Sequence, residues 1–291
     1  MTIQWFPGHM HRARKQIAAV MPKIDVVIEI LDARLPRSSR NPLLNELRGE
    51  RPCLRLLSKA DLADPRATSA WVTKFESEEA SESHGEVAAL AITCTDRGRV
   101  GGIVAACRRL SPGRGTLLKP VRVLVAGIPN VGKSTLINTI RGRRVAKTGD
   151  VPALTKSAQK VEVQEGFFLS DTPGVLWPRL DDQEGARRLA ASGAIRDSAM
   201  DYPTVGLWTA GFLLERYPEL LRERYLGEDD ELPGTPIEAL DAVGRRRGCL
   251  MRGGEIDYDR ATQLLLRDLR AGRVGRVTFE LPDEDRVEGE A

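Results

Sequence analysis

Apolar residues fall into two regimes along the chain. Up to about residue 175, short solid runs of Val, Ile and Leu alternate with stretches in which apolar positions recur every three or four residues. The solid runs predict strands over 25–31, 52–57, 87–92 and 121–126, with two shorter ones over 160–163 and 167–169. Helical periodicity predicts helices over 11–20, 67–79, 100–110 and 134–140; in the second, Trp71, Val72 and Phe75 share a face. Asn41-Pro42 opens a further short helix to about residue 47. Strands alternating with helices imply a mostly parallel α/β sheet with helices on both faces, whose ligands gather beyond the strands' carboxyl ends. After Trp177-Pro178 the alternation stops. Helices are predicted over 183–191, 205–217, 236–243 and 257–270, which makes a second, all-helical domain. The expected division is 1–178, 179–280 and a loose acidic tail over 281–291.

Composition changes this picture little. The chain has 291 residues, 41% hydrophobic and 29% charged, enough for two domains with real cores. A net charge of +3 is too small to imply a nucleic-acid partner, so a basic surface must be argued locally. The apolar runs are far too short to cross a membrane, and the N-terminus lacks the basic start and apolar core of a signal peptide. Cys53, Cys94, Cys107 and Cys249 show no metal-binding or redox spacing. A cytoplasmic location, with thiols serving as small core residues, is expected.

Between the strand ending at Ala126 and the helix starting at Ser134 stands G-I-P-N-V-G-K-S-T, residues 127–135, a match to the P-loop pattern. In such a unit the backbone N–H groups around Asn130, Val131, Gly132 and Thr135 close on phosphate oxygens. Lys133 adds positive charge at the β/γ-phosphates, and the Ser134 hydroxyl ligates Mg²⁺. A nucleoside triphosphate is the implied ligand. Asp171-Thr172-Pro173-Gly174 follows an apolar strand, where such proteins place the second Mg²⁺ carboxylate; Asp171 would hold the ion and the Gly174 N–H would meet the γ-phosphate. On its own this tetrapeptide is equally a common turn. Thr155 is the candidate switch threonine, ligating Mg²⁺ only in the triphosphate state.

Ser58-Lys59-Ala60-Asp61, at the end of the second strand, resembles the guanine-reading N-K-x-D box of GTPases. A carboxylate at Asp61 accepts from guanine N1–H and the exocyclic amine, which adenine cannot supply. Lys59 would lie along the base. Ser58, standing for Asn, offers fewer hydrogen bonds. Thr93-Cys94-Thr95 occupies the place of the loose S-A box at guanine O6, with Cys94 and Thr95 as its candidates; alone it reads as a strand end. In ordinary GTPases the phosphate boxes come first. Here the base boxes precede them, which implies a circularly permuted domain whose site is assembled from loops on one sheet edge.

With these boxes in that order, the chain resembles the YlqF/RbgA family of circularly permuted GTPases, which assist assembly of the large ribosomal subunit. The resemblance spans W-F-P-G-H-M at 5–10, D-A-R-L-P at 32–36, S-S-R-N-P at 38–42, the P-loop, D-T-P-G, and R-G-C-L-M-R-G-G-E-I-D at 247–257 with the segment 265–276. Departures are Ser58, Cys94 and Ala153, where the switch loop more often has Gly. Val175 stands where Ras-like enzymes carry a water-orienting glutamine. The family implies His9 in that role, delivered by the N-terminal segment; the plainer reading is that the segment packs as an arm. For Asn130 it implies a K⁺ ligand, against the plainer reading that Asn suits the turn. It also implies an rRNA-binding face from Arg12, Arg14 and Lys15 and from Arg245, Arg246, Arg247, Arg252, Arg260, Arg267 and Arg270, against a merely solvated basic face.

The expected function is GTP hydrolysis, slow alone and stimulated by the ribosomal subunit, with Lys133 and His9 as catalytic groups. The protein would bind the pre-large subunit as a monomer and couple hydrolysis to a late maturation step and to its own release. Two other readings stand beside it. One is a GTP-dependent RNA-binding assembly chaperone with incidental hydrolysis. The other is a metabolic P-loop kinase, which Asp61 disfavours.

Overall fold

The computed structural model describes residues 7–77, 85–142, 159–171, 182–195, 197 and 200–283; for 7–13, 159, 160 and 171 it describes the backbone alone. The chain forms two compact units.

The first, over Trp5–Arg179 together with the returning Thr278–Ala291, is built on a six-stranded sheet. Its strands are β1 (Val26–Asp32), β2 (Cys53–Ser58), β3 (Val87–Ala91), β4 (Val121–Gly127), β5 (Gln159–Gln164) and β6 (Phe167–Asp171), in the order β3-β2-β1-β4-β6-β5. All pairs are parallel except the β5–β6 edge hairpin. Every residue of β1 and β2 is buried, as solid apolar runs in a sheet covered on both faces require. Helices α1 (Pro7–Val20), α2 (Pro42–Arg48), α3 (Pro65–Ser77), α4 (Arg97–Arg109) and α5 (Lys133–Arg141) complete it. Asn41 caps α2 by accepting from the Leu43 N–H, with Pro42 in the first turn, and Asp96 caps α4.

Successive strands step outward from β1 to β3, and the chain then returns to place β4 on the other side of β1. The loops after β1 and β4 therefore diverge between neighbouring strands, the crevice where α/β sheets hold ligands.

The helical unit, Leu180–Val277, contains α6 (Gln183–Ser192), α7 (Tyr202–Arg216), α8 (Pro218–Tyr225), α9 (Pro236–Arg246) and α10 (Tyr258–Arg270). Thr235 and Glu238 form a capping box on α9, and Asp257 caps α10. Helix α10 buries Ala261, Leu265, Leu266 and Leu269, with Asp268 among them. It approaches α7 so closely that a Cβ on Gly206 would stand 1.9 Å from the Thr262 hydroxyl.

Two expectations are corrected. The helical unit ends at Val277, not at 280, because Thr278, Phe279 and Glu280 are buried in the α/β unit. The tail is not loose from its start: the Pro282 carbonyl accepts from Lys74 Nζ. Residues 284–291 lie outside the described ones. Helix α8 was not expected at all.

Candidate functional site

The site forms where β4 stops. Gly127 leaves the strand at φ +154°, and a Cβ there would meet the Ile30 carbonyl at 2.5 Å. Asn130 adopts a left-handed φ of +57°, the geometry that Asn tolerates better than most residues. Gly132, at φ +107°, caps α5, so the helix's free N–H groups open beside the loop. A Cβ on Gly132 would meet Cys94 Sγ at 3.0 Å, which places the loop after β3 directly against the P-loop. Lys133 Nζ is buried and donates to the Gly127 and Ile128 carbonyls at 3.0 and 2.7 Å. Ser134 and Thr135 lie half-buried in the first turn of α5. Val131 is buried beneath them.

The base box comes from the next strand but one. Ser58 pairs with Asp32 across the β1–β2 register. Its hydroxyl is fully buried, 2.9 Å from the Leu31 carbonyl and 2.7 Å from the Val131 carbonyl. Having one proton, it donates to one of them at a time. Ser58 therefore ties the base box to the P-loop and does not turn toward a base edge. Lys59 holds a left-handed φ of +56°, a costly conformation for a residue with a Cβ and one that collects at binding sites. Its Nζ donates to Asp32 Oδ2 at 2.9 Å. The Ala60 N–H donates to the Ile92 carbonyl, and Thr93 Oγ1 donates to Asp61 Oδ1 at 3.0 Å, so the third loop braces the Asp61 carboxylate. Cys94 is buried, which pushes its thiol up to about 12 and keeps it neutral. Thr95 is exposed.

Sequence reasoning left Asp32, Arg34 and Thr93 out of the site. Arg34 grips Asp32 through Nε and Nη2 at 2.9 and 2.8 Å, with both side chains buried. Burial alone would raise the Asp32 carboxyl. The charges and hydrogen bonds of Arg34 and Lys59 overcome that and hold it well below the usual carboxylate range. The signal was the D-A-R spacing, which lets an arginine two residues on fold back over the aspartate.

Asp171 ends β6 and pairs with Val125 of β4, two positions before Gly127. A hydroxyl at Ser134 and a carboxylate at Asp171 suit a hard oxygen-seeking cation, and Mg²⁺ is the ion that GTPases use with their nucleotide. Among the described residues no cluster of three or more His, Cys, Asp or Glu could cage a metal without the nucleotide's help. Thr155, Gly174 and Val175 lie outside the described residues, as do the side chains of His9, Arg12 and Asp171.

The basic candidates do not form one group. Lys15 is exposed, and Arg14 pairs with Glu46 at 3.1 Å. In the helical unit Arg245, Arg246, Arg252, Arg260 and Arg267 are exposed. Arg247 lies 3.7 Å from the buried Asp268, beside Arg224 and Arg273. Arg270 caps the end of α6, donating to the Ala190 and Ala191 carbonyls and pairing with Asp197.

A P-loop at the sheet's switch point, with a guanine box delivered earlier in the chain by a neighbouring strand, defines a circularly permuted P-loop GTPase. Residues 122–201 match the family model described as 50S ribosome-binding GTPase. The chain is 44% identical over 291 residues to ribosome biogenesis GTPase A of Bacillus cereus, covering 98% of this chain and 95% of that protein. It is 29% identical to the Thermotoga maritima protein of the same name over 97% of this chain and 95% of that protein. Among solved structures, GNP-bound YlqF from T. maritima superposes with a TM-score of 0.64 at 25% identity, covering 94% of this chain and 99% of that one. GDP-bound YlqF gives 0.66 at 26% identity, covering 92% and 100%. The chain belongs to the ribosome biogenesis GTPase A (YlqF/RbgA) family. Among the described residues no helix is long and apolar enough to cross a membrane.

Proposed function

We propose that this GTPase binds a late precursor of the large ribosomal subunit, hydrolyses GTP slowly when alone and faster on that particle, and leaves after hydrolysis. The observation that carries this reading is the convergence of the P-loop, the Ser58–Asp61 box and the end of β6 on one sheet edge, in permuted order. Chain order matters because the segment that follows Asp171 leads straight into the helical unit. A change at the γ-phosphate can therefore pull on the domain proposed to hold rRNA.

Ser134, Asp171 and, in the triphosphate state, Thr155 would hold Mg²⁺, which when bound offsets charge on the phosphates. Lys133 would release its loop carbonyls and meet the β/γ-oxygens. Asp61 and Lys59 select guanine. With Val175 in place of a glutamine, His9 orients the attacking water when the protein is bound to the particle. Asn130 would offer its side-chain oxygen to K⁺, which when bound would supply positive charge without a partner's arginine. The exposed Arg245, Arg246, Arg252, Arg260 and Arg267, with Arg14 and Lys15, meet rRNA phosphates. The protein acts as a cytoplasmic monomer.

The test is GTP against ATP turnover, with and without purified large subunits, in K⁺ and in Na⁺. Stimulation of GTP turnover alone, greater in K⁺, is expected. His9→Ala should bind GTP normally and lose the stimulation. Equal turnover with and without subunits would refute the reading.

A further inference from the structure

The residue after the helical unit begins a segment, 278–282, that returns to the α/β unit more than two hundred positions from its partners. Its contacts are polar and largely shielded from water. The Phe279 N–H donates to the Arg34 carbonyl at 2.6 Å. The Glu280 carboxylate accepts from the backbone N–H groups of Arg37, at 2.7 Å, and Ser38, at 3.1 Å, and from the Ser38 hydroxyl. Its carbonyl accepts from Trp71 Nε1 at 2.8 Å. Thr278 Oγ1 accepts from the Asp64 N–H at 2.9 Å. Glu280 is 1% exposed.

These attachments bracket the base box. On one side stands Arg34, whose guanidinium holds Asp32, which in turn holds Lys59 Nζ. On the other stands Asp64, three residues beyond Asp61. Lys59 keeps its left-handed backbone only while its surroundings enforce it. A buried carboxylate that accepts from two backbone N–H groups and a hydroxyl fixes the 37–38 turn in one arrangement. Packing of a chain end alone does not call for such a group; a leucine would cover the same surface at lower desolvation cost.

We propose that the 278–282 strap is a wall of the guanine site, with Glu280 a positioning residue that sets Lys59 and Asp61 and so governs how long guanine nucleotide stays bound. The proposal rests on reading Ser58–Asp61 as the guanine box. It assigns a binding role to a segment outside the family's nucleotide motifs.

The experiment measures dissociation of fluorescently labelled GDP from the full chain by stopped flow, with unlabelled IDP, which lacks the exocyclic amine, as competitor. Melting temperature is recorded for every variant. Glu280→Ala should speed GDP release roughly tenfold and narrow the GDP/IDP preference, since the three charge-assisted bonds that fix the 37–38 turn are removed. Trp71→Phe keeps an aromatic ring but loses the indole N–H, its bond to the Glu280 carbonyl and some buried volume, and should speed release about threefold, covering the case in which Glu280→Ala does not fold. In a Lys59→Ala background, Glu280→Ala should add little. Unchanged release in both strap variants, with only the melting temperature lowered, overturns the proposal. If Lys59→Ala itself leaves release unchanged, the guanine reading of the box falls and the proposal falls with it. If Lys59→Ala speeds release and the strap variants do not, the strap proposal alone is lost.

Discussion

Asp32 in the α/β unit and Asp268 in the helical unit are both buried among cations, and the two are used differently. Asp32 is 1% exposed, and its main partner Arg34 is equally buried. Asp268 is also fully buried, but Arg224, Arg247 and Arg273 keep 30%, 32% and 49% of their side chains exposed. In the α/β unit neither charge has access to water, so the pair holds a fixed geometry and Lys59 takes its position from it. In the helical unit one carboxylate gathers three guanidiniums whose outer faces stay hydrated. The first arrangement preorganises a ligand site. The second joins α8, α10 and the segment after α9, and presents positive charge outward. Buried charge does not by itself stabilise a fold; what matters is whether the partner can rehydrate when the pair is broken.

That contrast sets the largest predicted effect. Asp32→Asn leaves Arg34 charged and buried and should lower stability by about 3–5 kcal/mol in urea unfolding. Acid should act on the same group. Its folded pKa lies below the unfolded value, so its contribution is complete above about pH 4 and drains away as pH falls below that. The Asn variant should show a flatter stability profile below pH 4 than the parent. Asp268→Asn breaks a similar constellation but frees arginines that water can reach, so about 1.5–3 kcal/mol is expected. If the two variants lose equal stability, the comparison fails.

Ser58→Ala comes next. It removes a buried hydroxyl lying between the Leu31 and Val131 carbonyls and should cost about 1 kcal/mol. Nucleotide release should quicken as well, because the bond to Val131 is what joins the base box to the P-loop. An unchanged release rate with lowered stability would show that the tie supports the fold alone.

Much of this was legible in the residues. Apolar runs marked the four central parallel strands, since a sheet covered on both faces leaves few polar positions, Glu29 and Arg55 being the paired exceptions; β5, an edge strand, is mostly polar. The P-loop announced itself by spacing, and the order of the boxes showed the permutation. The legible features were local. What was missed depends on contacts between distant segments. Helix α8 is short and abuts α7 at Tyr217-Pro218, where periodicity alone reads an ending. Glu280 was assigned to the end of the helical domain, yet its partners Arg37 and Ser38 lie more than two hundred residues away. Ser58 was expected beside the base; only the β1–β2 register, which sets it against Asp32, turns its hydroxyl inward. Asp32 and Arg34 were noticed as a signature, but the link to Lys59 exists only through that same register.

The smallest stability effect should come from Arg14. Its pair with Glu46 has both side chains more than half exposed, at 52% and 63%. Such pairs are screened by salt and entropically costly to hold, so Arg14→Ala should change stability by less than about 0.5 kcal/mol. That makes it a clean probe of what exposed charge does in this protein. If the basic stripe of α1 meets phosphates, Arg14→Ala should weaken binding to large subunits and reduce the salt dependence of that binding by about one counterion, with the fold intact. Arg270→Ala should do the reverse. Its donors are committed to Ala190, Ala191 and Asp197, so stability should fall while the salt dependence of binding stays. A common outcome for the two variants would erase the distinction between arginines that hold the fold and exposed arginines whose weak surface pairs let them meet a partner.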